Sequence, residues 1–366
     1  MVTKRRGKGE GSIFYDSSKK RWVAEVTLPD GKRKKKRAVN KKDVSDWLLE
    51  QRKLISEGLL VKDVKDTLGS YLRSYMDNVA VHSLRPSTLH SYNKWINNHI
   101  NPAIGHIKLT ALKPRDLENY YSLKLKQGMA KSTVRYMHAI IRKALNHAVK
   151  QRTLIRNPTD AVTPPRPERK EFRTLTADEL RCFFAVIDSP RWKTLYLVAA
   201  LLGLRKSEVS GLRWSDIDFE RSTISINHIV YEIDGVIHEG TPKTEKSRRT
   251  LTMPKVVADQ LKSYQLEKDE TEGLIFTTRS GRPISQRNIT RNFHQTLEKA
   301  ELPQMRFHDL RHTAATLLLK ENIHPKIVQN LLGHSSISLT MDTYSHIIQG
   351  INNEAAEKMN TLFKDT

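Results

Sequence analysis

The chain has 366 residues, 63 Lys and Arg against 40 Asp and Glu, and a formal net charge of +23. That length allows two or three domains, and 38% apolar residues allow a packed core. One cysteine, Cys182, excludes an internal disulfide and a cysteine-based zinc site, and apolar stretches such as 195–204 are too short to span a membrane. Cys182 itself reads as a small core side chain. The positive charge runs through a globular pattern rather than a tail, which points to a folded protein lying along a polyanion. The basic start "MVTKRRGKGEG" lacks the apolar segment of a secretory signal, so the expected location is the bacterial cytoplasm or nucleoid.

Residues 1–60 read as a small module of three short strands and a helix. Turn signals fall at Asp16–Ser18 and Asp30–Gly31. In the middle strand Trp22, Ala24, Val26 and Leu28 share one face, with Val23, Glu25 and Thr27 on the other. "NKKDVSDWLLEQRKL" then reads as the helix covering the apolar face. The third strand carries Lys32, Arg33, Lys34, Lys35, Lys36 and Arg37. Such a run can be a solvated edge that resists aggregation, but in a net-positive module it reads as a nucleic-acid contact.

Residues 62–160 have the spacing of an all-α domain. "TLGSYLRSYMDNV", "RPSTLHSYNKWINNHI", "KPRDLENYYSLKLKQ" and "AKSTVRYMHAIIRKALNHAVKQ" each repeat apolar residues at helical intervals. "NPTDAVTPPRPERKEFRTLT" (157–176) reads as a solvated linker, because its four prolines prevent a helix. The next domain, 171–366, opens on "TADELRCFFAVI", with Thr176 as N-cap and Glu179 as its capping-box partner.

This last domain carries separated polar sites. In "LLGLRKSEVSGLRW" a helix breaks at Gly203, Arg205 follows, and Glu208 lies three residues on, on the same face. In "TPKTEKSRRT", beside a hairpin turning at Asp234–Gly235, Lys243 sits in an exposed bend. "RFHDLRHTAA" places His308, Arg311 and His312 on one face of a helix start, ahead of an apolar run. "LLGHSSISLTMDTYSHI" follows a helix end at Gly333 with His334 and Tyr344. Each has an ordinary structural explanation alone; four in this order do not.

In this order "GLRKSEVSGLRW", "TPKTEKSRRT", "HDLRHTAAT", "LLGHSS" and "TMDTYSH" resemble the tyrosine recombinase (phage integrase) family across nearly all of 171–350. The resemblance implies a multidomain fold: an N-terminal sheet-and-helix module for arm-type DNA sites, an all-α core-binding clamp over 62–160, and a mainly helical α+β catalytic domain. It implies that Arg205 and Arg311 grip a scissile phosphate, that Lys243 is the hairpin lysine with Lys246 as fallback, that His308 and His334 are the two histidines, and that Tyr344 is the nucleophile. It further implies double-stranded DNA attachment sites, a homo-tetramer on DNA, an excision factor and a host DNA-bending protein as partners, and no membrane. The tail "INNEAAEKMNTLF" would pack on a neighbouring protomer.

The chemistry asks for the same residue types. Two guanidiniums hold the non-bridging oxygens of an attacked phosphodiester with fixed-geometry donors. The tyrosine phenol, with an ordinary pKa near 10, must lose a proton during attack, and a histidine can take it. A lysine can protonate the departing 5′ oxygen. No acidic cluster for magnesium and no nucleotide-binding glycine motif occurs, so no cofactor and no metal are expected. Two other readings start from the same residues: a type IB topoisomerase-like DNA-relaxing enzyme, and a non-enzymatic helix-turn-helix regulator built on "NIHPKIVQNLLGHSSISLTMDTYSH".

Overall fold

The computed structural model describes residues 10–28, 31–56, 66–168, 172–242, 247–333, 336–337 and 341. The chain forms two compact units, Met1–Arg169 and Lys170–Thr366.

The first unit begins with the expected antiparallel sheet, β1 (Ser12–Asp16), β2 (Arg21–Thr27) and β3 (Arg33–Ala38), in that spatial order. Gly31 turns the chain between β2 and β3 at φ +83°, a conformation cheap for glycine alone. Ala24 and Val26 pack against Val44 and Leu48 of α1 (Lys41–Ser56), with Trp22 and Leu28 at the margin. This is the apolar face read from the alternation. Val23 lies on the opposite face and is nevertheless only 2% exposed, flanked in register by Phe14 and Arg37.

The rest of this unit is helical. α2 (Leu68–Tyr75) runs through a π-type turn at Met76–Ala80 into α3 (Val81–Ser83). α4 (Pro86–Trp95) runs through Ile96–Ile100 into α5 (Asn101–Ile104), and α6 (Pro114–Lys126) and α7 (Lys131–Lys150) follow. Thr67 and Ser70 form a capping box at α2, and Pro86 and Pro114 occupy first-turn positions where no N–H is needed. Leu72, Ile100, Leu117, Met137, Ile141 and Leu145 meet in one core.

The linker reading of 157–176 needs correction at both ends. Asn157 Nδ2 donates to the Arg142 carbonyl (3.2 Å) and to Asn146 Oδ1 (2.8 Å), while its Oδ1 accepts from Thr159 N (3.0 Å). Thr159 and Val162 are buried, so 157–162 packs onto the helical core. At the far end Leu175 is buried and its N–H donates to Thr313 Oγ1 (3.1 Å) in the second unit. Nor do the prolines exclude every helical turn: Asn157 caps a short 3-10 helix, Pro158–Ala161, in which Pro158 takes a first-turn position where no N–H is needed.

The second unit is mixed α+β. Its helices are α8 (Ala177–Ala185), α9 (Pro190–Leu201), α10 (Lys206–Ser210), α11 (Lys255–Lys268), α12 (Gln286–Lys299), α13 (Asp309–Lys320) and α14 (Pro325–Leu332). Strands β4 (Ile217–Asp218), β5 (Thr223–Ser225) and β8 (Thr250–Thr252) form one sheet. β6 (Ile229–Ile233) and β7 (Val236–Gly240) form a hairpin whose turn residues, Asp234 (φ +49°) and Gly235 (φ +80°), are both left-handed, as a type I′ turn requires. The predicted capping box is present: Thr176 Oγ1 accepts from Glu179 N (3.2 Å) and a Glu179 carboxylate oxygen from Thr176 N (2.9 Å). Cys182 is exposed, contrary to expectation, because Leu180 and Phe183 take the buried side of α8. α9 is buried from Thr194 to Ala200 and forms the centre of a core with Phe183, Phe293 and Leu310. Among the described residues no helix is long and apolar enough to cross a membrane.

Candidate active site

The site is built where helix ends meet. α9 stops at Leu202 because Gly203 turns left-handed at φ +61°, and Arg205 then becomes the N-cap of α10. Glu208 closes that cap: its carboxylate accepts from the Arg205 backbone N–H (3.0 Å) and from Arg205 Nη1 (2.6 Å). The Arg205 side chain stays 35% exposed, whereas Glu208 is 2% exposed. A second cation, Arg249, reaches the other side of the carboxylate, Nη2 to Oε2 at 3.1 Å, and is itself only 7% exposed. Burial alone would raise the Glu208 carboxyl. Arg249 and Arg205 more than offset it, and the group stays below the usual carboxylate range.

α13 supplies the second part. Asp309 caps its own turn by accepting from Arg306 N (2.9 Å), and Leu310, Ala314, Ala315 and Leu319 bury the apolar face. Arg311 is 1% exposed. Its Nη1 donates to the Gly203 carbonyl (2.8 Å) and its Nη2 to the Leu332 carbonyl. Arg249 Nε donates to the carbonyl of the preceding residue, Leu331 (2.8 Å). Two arginines from distant parts of the chain thus hold the last turn of α14.

His308 stands at the start of α13, exposed to solvent. Desolvation by the groups packed around the ring, and then the fields of Arg311 and Arg205, hold its imidazole below the ordinary histidine value. The Arg311 contact with the Gly203 carbonyl brings the start of α13, with His308, to the turn that carries Arg205. His312 stacks on Phe172, centroids 4.1 Å apart at 18°, with its edge toward His308. Burial, with His308 next, pushes the His312 pKa down to about 4, which leaves it a neutral packing residue.

The remaining candidates, Lys243 with its fallback Lys246, His334, Tyr344 and the tail after it, lie outside the described residues. Their approaches are described: the hairpin ends at Gly240, β8 resumes at Thr250, and α14 ends with Gly333 at φ +62°. Arg249 was not singled out from the sequence. The only signal was its place in "SRRT", where two adjacent arginines look alike.

In the N-terminal module all five basic residues of β3 are exposed, but the register divides them. Arg33, Lys35 and Arg37 pair with Thr27, Glu25 and Val23 on the face away from α1; Lys34 and Lys36 pair with Val26 and Ala24 on the helix side. Arg33 and Lys35 each approach Glu25 at 3.3 Å, and Lys34 reaches Gln51 of α1 at 3.3 Å.

Residues 173–349 match the phage integrase family, and residues 67–125 match the phage integrase N-terminal SAM-like domain. A tyrosine recombinase XerC-like protein of Caldanaerobacter subterraneus subsp. tengcongensis is 30% identical over 338 residues, covering 84% of this chain and 86% of that protein. The chain belongs to the phage integrase family of tyrosine recombinases. It is a site-specific recombinase that cuts and rejoins DNA strands, which sets aside the regulator and topoisomerase readings.

Two solved integrases share the recombinase fold. The Tn1549 transposon integrase in complex with a circular intermediate DNA superposes with a TM-score of 0.67 at 19% identity, covering 76% of this chain and 95% of that one. The lambda integrase tetramer bound to a Holliday junction gives 0.58 at 18% identity, covering 88% and 95%.

Proposed function

We propose that this recombinase integrates or excises a mobile element by attack of Tyr344 on a DNA phosphodiester. His308 accepts the phenol proton as the tyrosine oxygen bonds to phosphorus. Lys243 protonates the departing 5′ oxygen, leaving a 3′-phosphotyrosine and a free 5′ hydroxyl. One ester replaces another, so rejoining needs no energy source. Arg205 and Arg311 hold the non-bridging oxygens, where charge develops, and His334 completes the polar ring. The Arg205 side chain is open to solvent, while Arg311 lies beneath the surface on the Gly203 and Leu332 carbonyls. The observation that carries this reading is the Arg311 contact with the Gly203 carbonyl at 2.8 Å, which brings the His308–Arg311 turn to the one that carries Arg205.

On this reading 1–60 binds arm-type sites, 62–160 clamps the core site and 171–366 performs the chemistry. The partners are double-stranded attachment sites in the bacterial cytoplasm, three further copies of the chain, an excision factor and a host bending protein. The tetramer bound to a Holliday junction, seen for lambda integrase, is the assembly that strand exchange calls for.

A nicked duplex that loses its 5′ fragment on cleavage traps the covalent complex. Wild-type protein is expected to give a denaturant-resistant adduct, and Tyr344→Phe to bind the duplex equally and give none. An adduct from the Phe variant removes Tyr344 from the role.

A further inference from the structure

We propose that Arg249 is a charge-balancing positioning residue of this site: it neutralises Glu208 so that Arg205 keeps its positive charge for the phosphate, and it sets the end of α14 in the same contact. The inference rests on the recombinase reading above and adds a residue to it.

Glu208 is a buried carboxylate between two guanidiniums. Arg205 Nη1 lies 2.6 Å from one oxygen; Arg249 Nη2 lies 3.1 Å from the other, and Arg249 Nη1 approaches at 3.4 Å. Exposure separates the two cations: Arg249 is enclosed at 7%, while Arg205 opens to solvent at 35%. With Arg205 alone, Glu208 would form a neutral pair, and an incoming phosphate would meet little net charge. With Arg249 present the three groups sum to one positive charge, carried on the member that faces outward. A buried carboxylate needs both partners to stay ionised at low cost.

The remaining donors of Arg249 explain why arginine is used. Nε donates to the Leu331 carbonyl at 2.8 Å and Nη1 to the Ser247 carbonyl at 3.1 Å. One planar fork therefore joins the chain leading into β8, the acid of α10 and the last turn of α14. A lysine keeps the charge but cannot span these acceptors.

The test uses the full chain and a suicide duplex cut from the junction DNA of the circularised element, with gel shifts and thermal melts in parallel. Arg249→Met is expected to bind DNA like the wild type but to form adduct at least about tenfold more slowly, a fraction of the loss seen when a direct oxyanion donor is removed. Adding Glu208→Gln to that variant is expected to recover most of the rate, because Arg205 regains its charge; an arginine needed only for folding predicts further damage instead. Arg249→Lys is expected to fall between the wild type and Arg249→Met, and it carries the comparison if the Met variant does not fold. The same charge is read without cleavage from tungstate, a phosphate-like oxyanion: its stabilising shift in melting temperature should shrink in Arg249→Met and return in the double variant. Wild-type adduct rates in Arg249→Met, no recovery with Glu208→Gln, or an unchanged tungstate shift overturns the proposal. A wild type that forms no adduct fails the recombinase reading, and the tungstate comparison still decides the role of Arg249.

Discussion

Arg311 Nη1 donates to the Gly203 carbonyl at 2.8 Å, across 108 positions of the chain. The same guanidinium holds the Leu332 carbonyl, so a single side chain fixes the end of α9 against the end of α14. Arg311→Lys can satisfy one carbonyl but not both. The unmet buried carbonyl costs about 1–3 kcal/mol. Denaturant unfolding should show that loss together with loss of cleavage; unchanged stability would mean that the carbonyls find other donors.

Gly203→Ala should be destabilising by about 1–3 kcal/mol, the usual range for overpacking. A Cβ there would meet Leu332 Cδ2 at 2.6 Å and Leu331 Cδ2 at 3.3 Å, on a backbone with φ +61°. Cleavage should fall as well, since Arg205 is two residues away. A melting temperature equal to the wild type's would show that α14 can shift to make room.

His312 predicts a pH dependence. Its folded pKa of about 4 lies well under the ordinary value of 6.5, so the unfolded chain takes up a proton that the folded chain resists. Stability should be full above pH about 6.5 and decline as pH falls toward 4, and His308, whose pKa is also lowered, acts in the same direction. Glu208 is also held low, but its contribution is lost only below the unfolded carboxylate value near 4.3. Thermal melts between pH 7 and 5 should fall less steeply for His312→Gln than for the wild type. Parallel curves would place the titration elsewhere.

The register of β3 makes a prediction about DNA. Replacing Arg33, Lys35 and Arg37 with Ala should flatten the salt dependence of binding to distal sites by roughly three charges. Replacing Lys34 and Lys36, on the helix side, should do less. Equal effects would mean that DNA follows the strand edge rather than the open face.

Lys243 is tested by its proposed partner. Sulfur in place of the bridging 5′ oxygen leaves readily, since thiols ionise near pKa 8.5. Lys243→Ala should be slow on ordinary DNA and near wild type on the sulfur strand, whereas Arg311→Ala should gain nothing. Rescue of Lys246→Ala in its place would move the general acid three residues along.

What could be read from the sequence was local. The β2 alternation, the Thr176–Glu179 capping box, the Asp234–Gly235 turn and the stop at Gly203 depend on residues within a few positions of one another, and all stand in the structure. The order of the polar sites was equally plain, because each lies on a short motif of its own. The tertiary structure decided which groups those residues meet. Periodicity shows that one side of a helix is buried, but not that Arg311 is buried with two carbonyls, or that Arg249 shares Glu208 with Arg205. Nor does it show that Asn157 and Thr159 leave a proline-rich linker to join a core, or that Cys182 faces outward. A buried charge or carbonyl is stable only where a partner meets it, and in this chain the partners come from segments folded together from far apart.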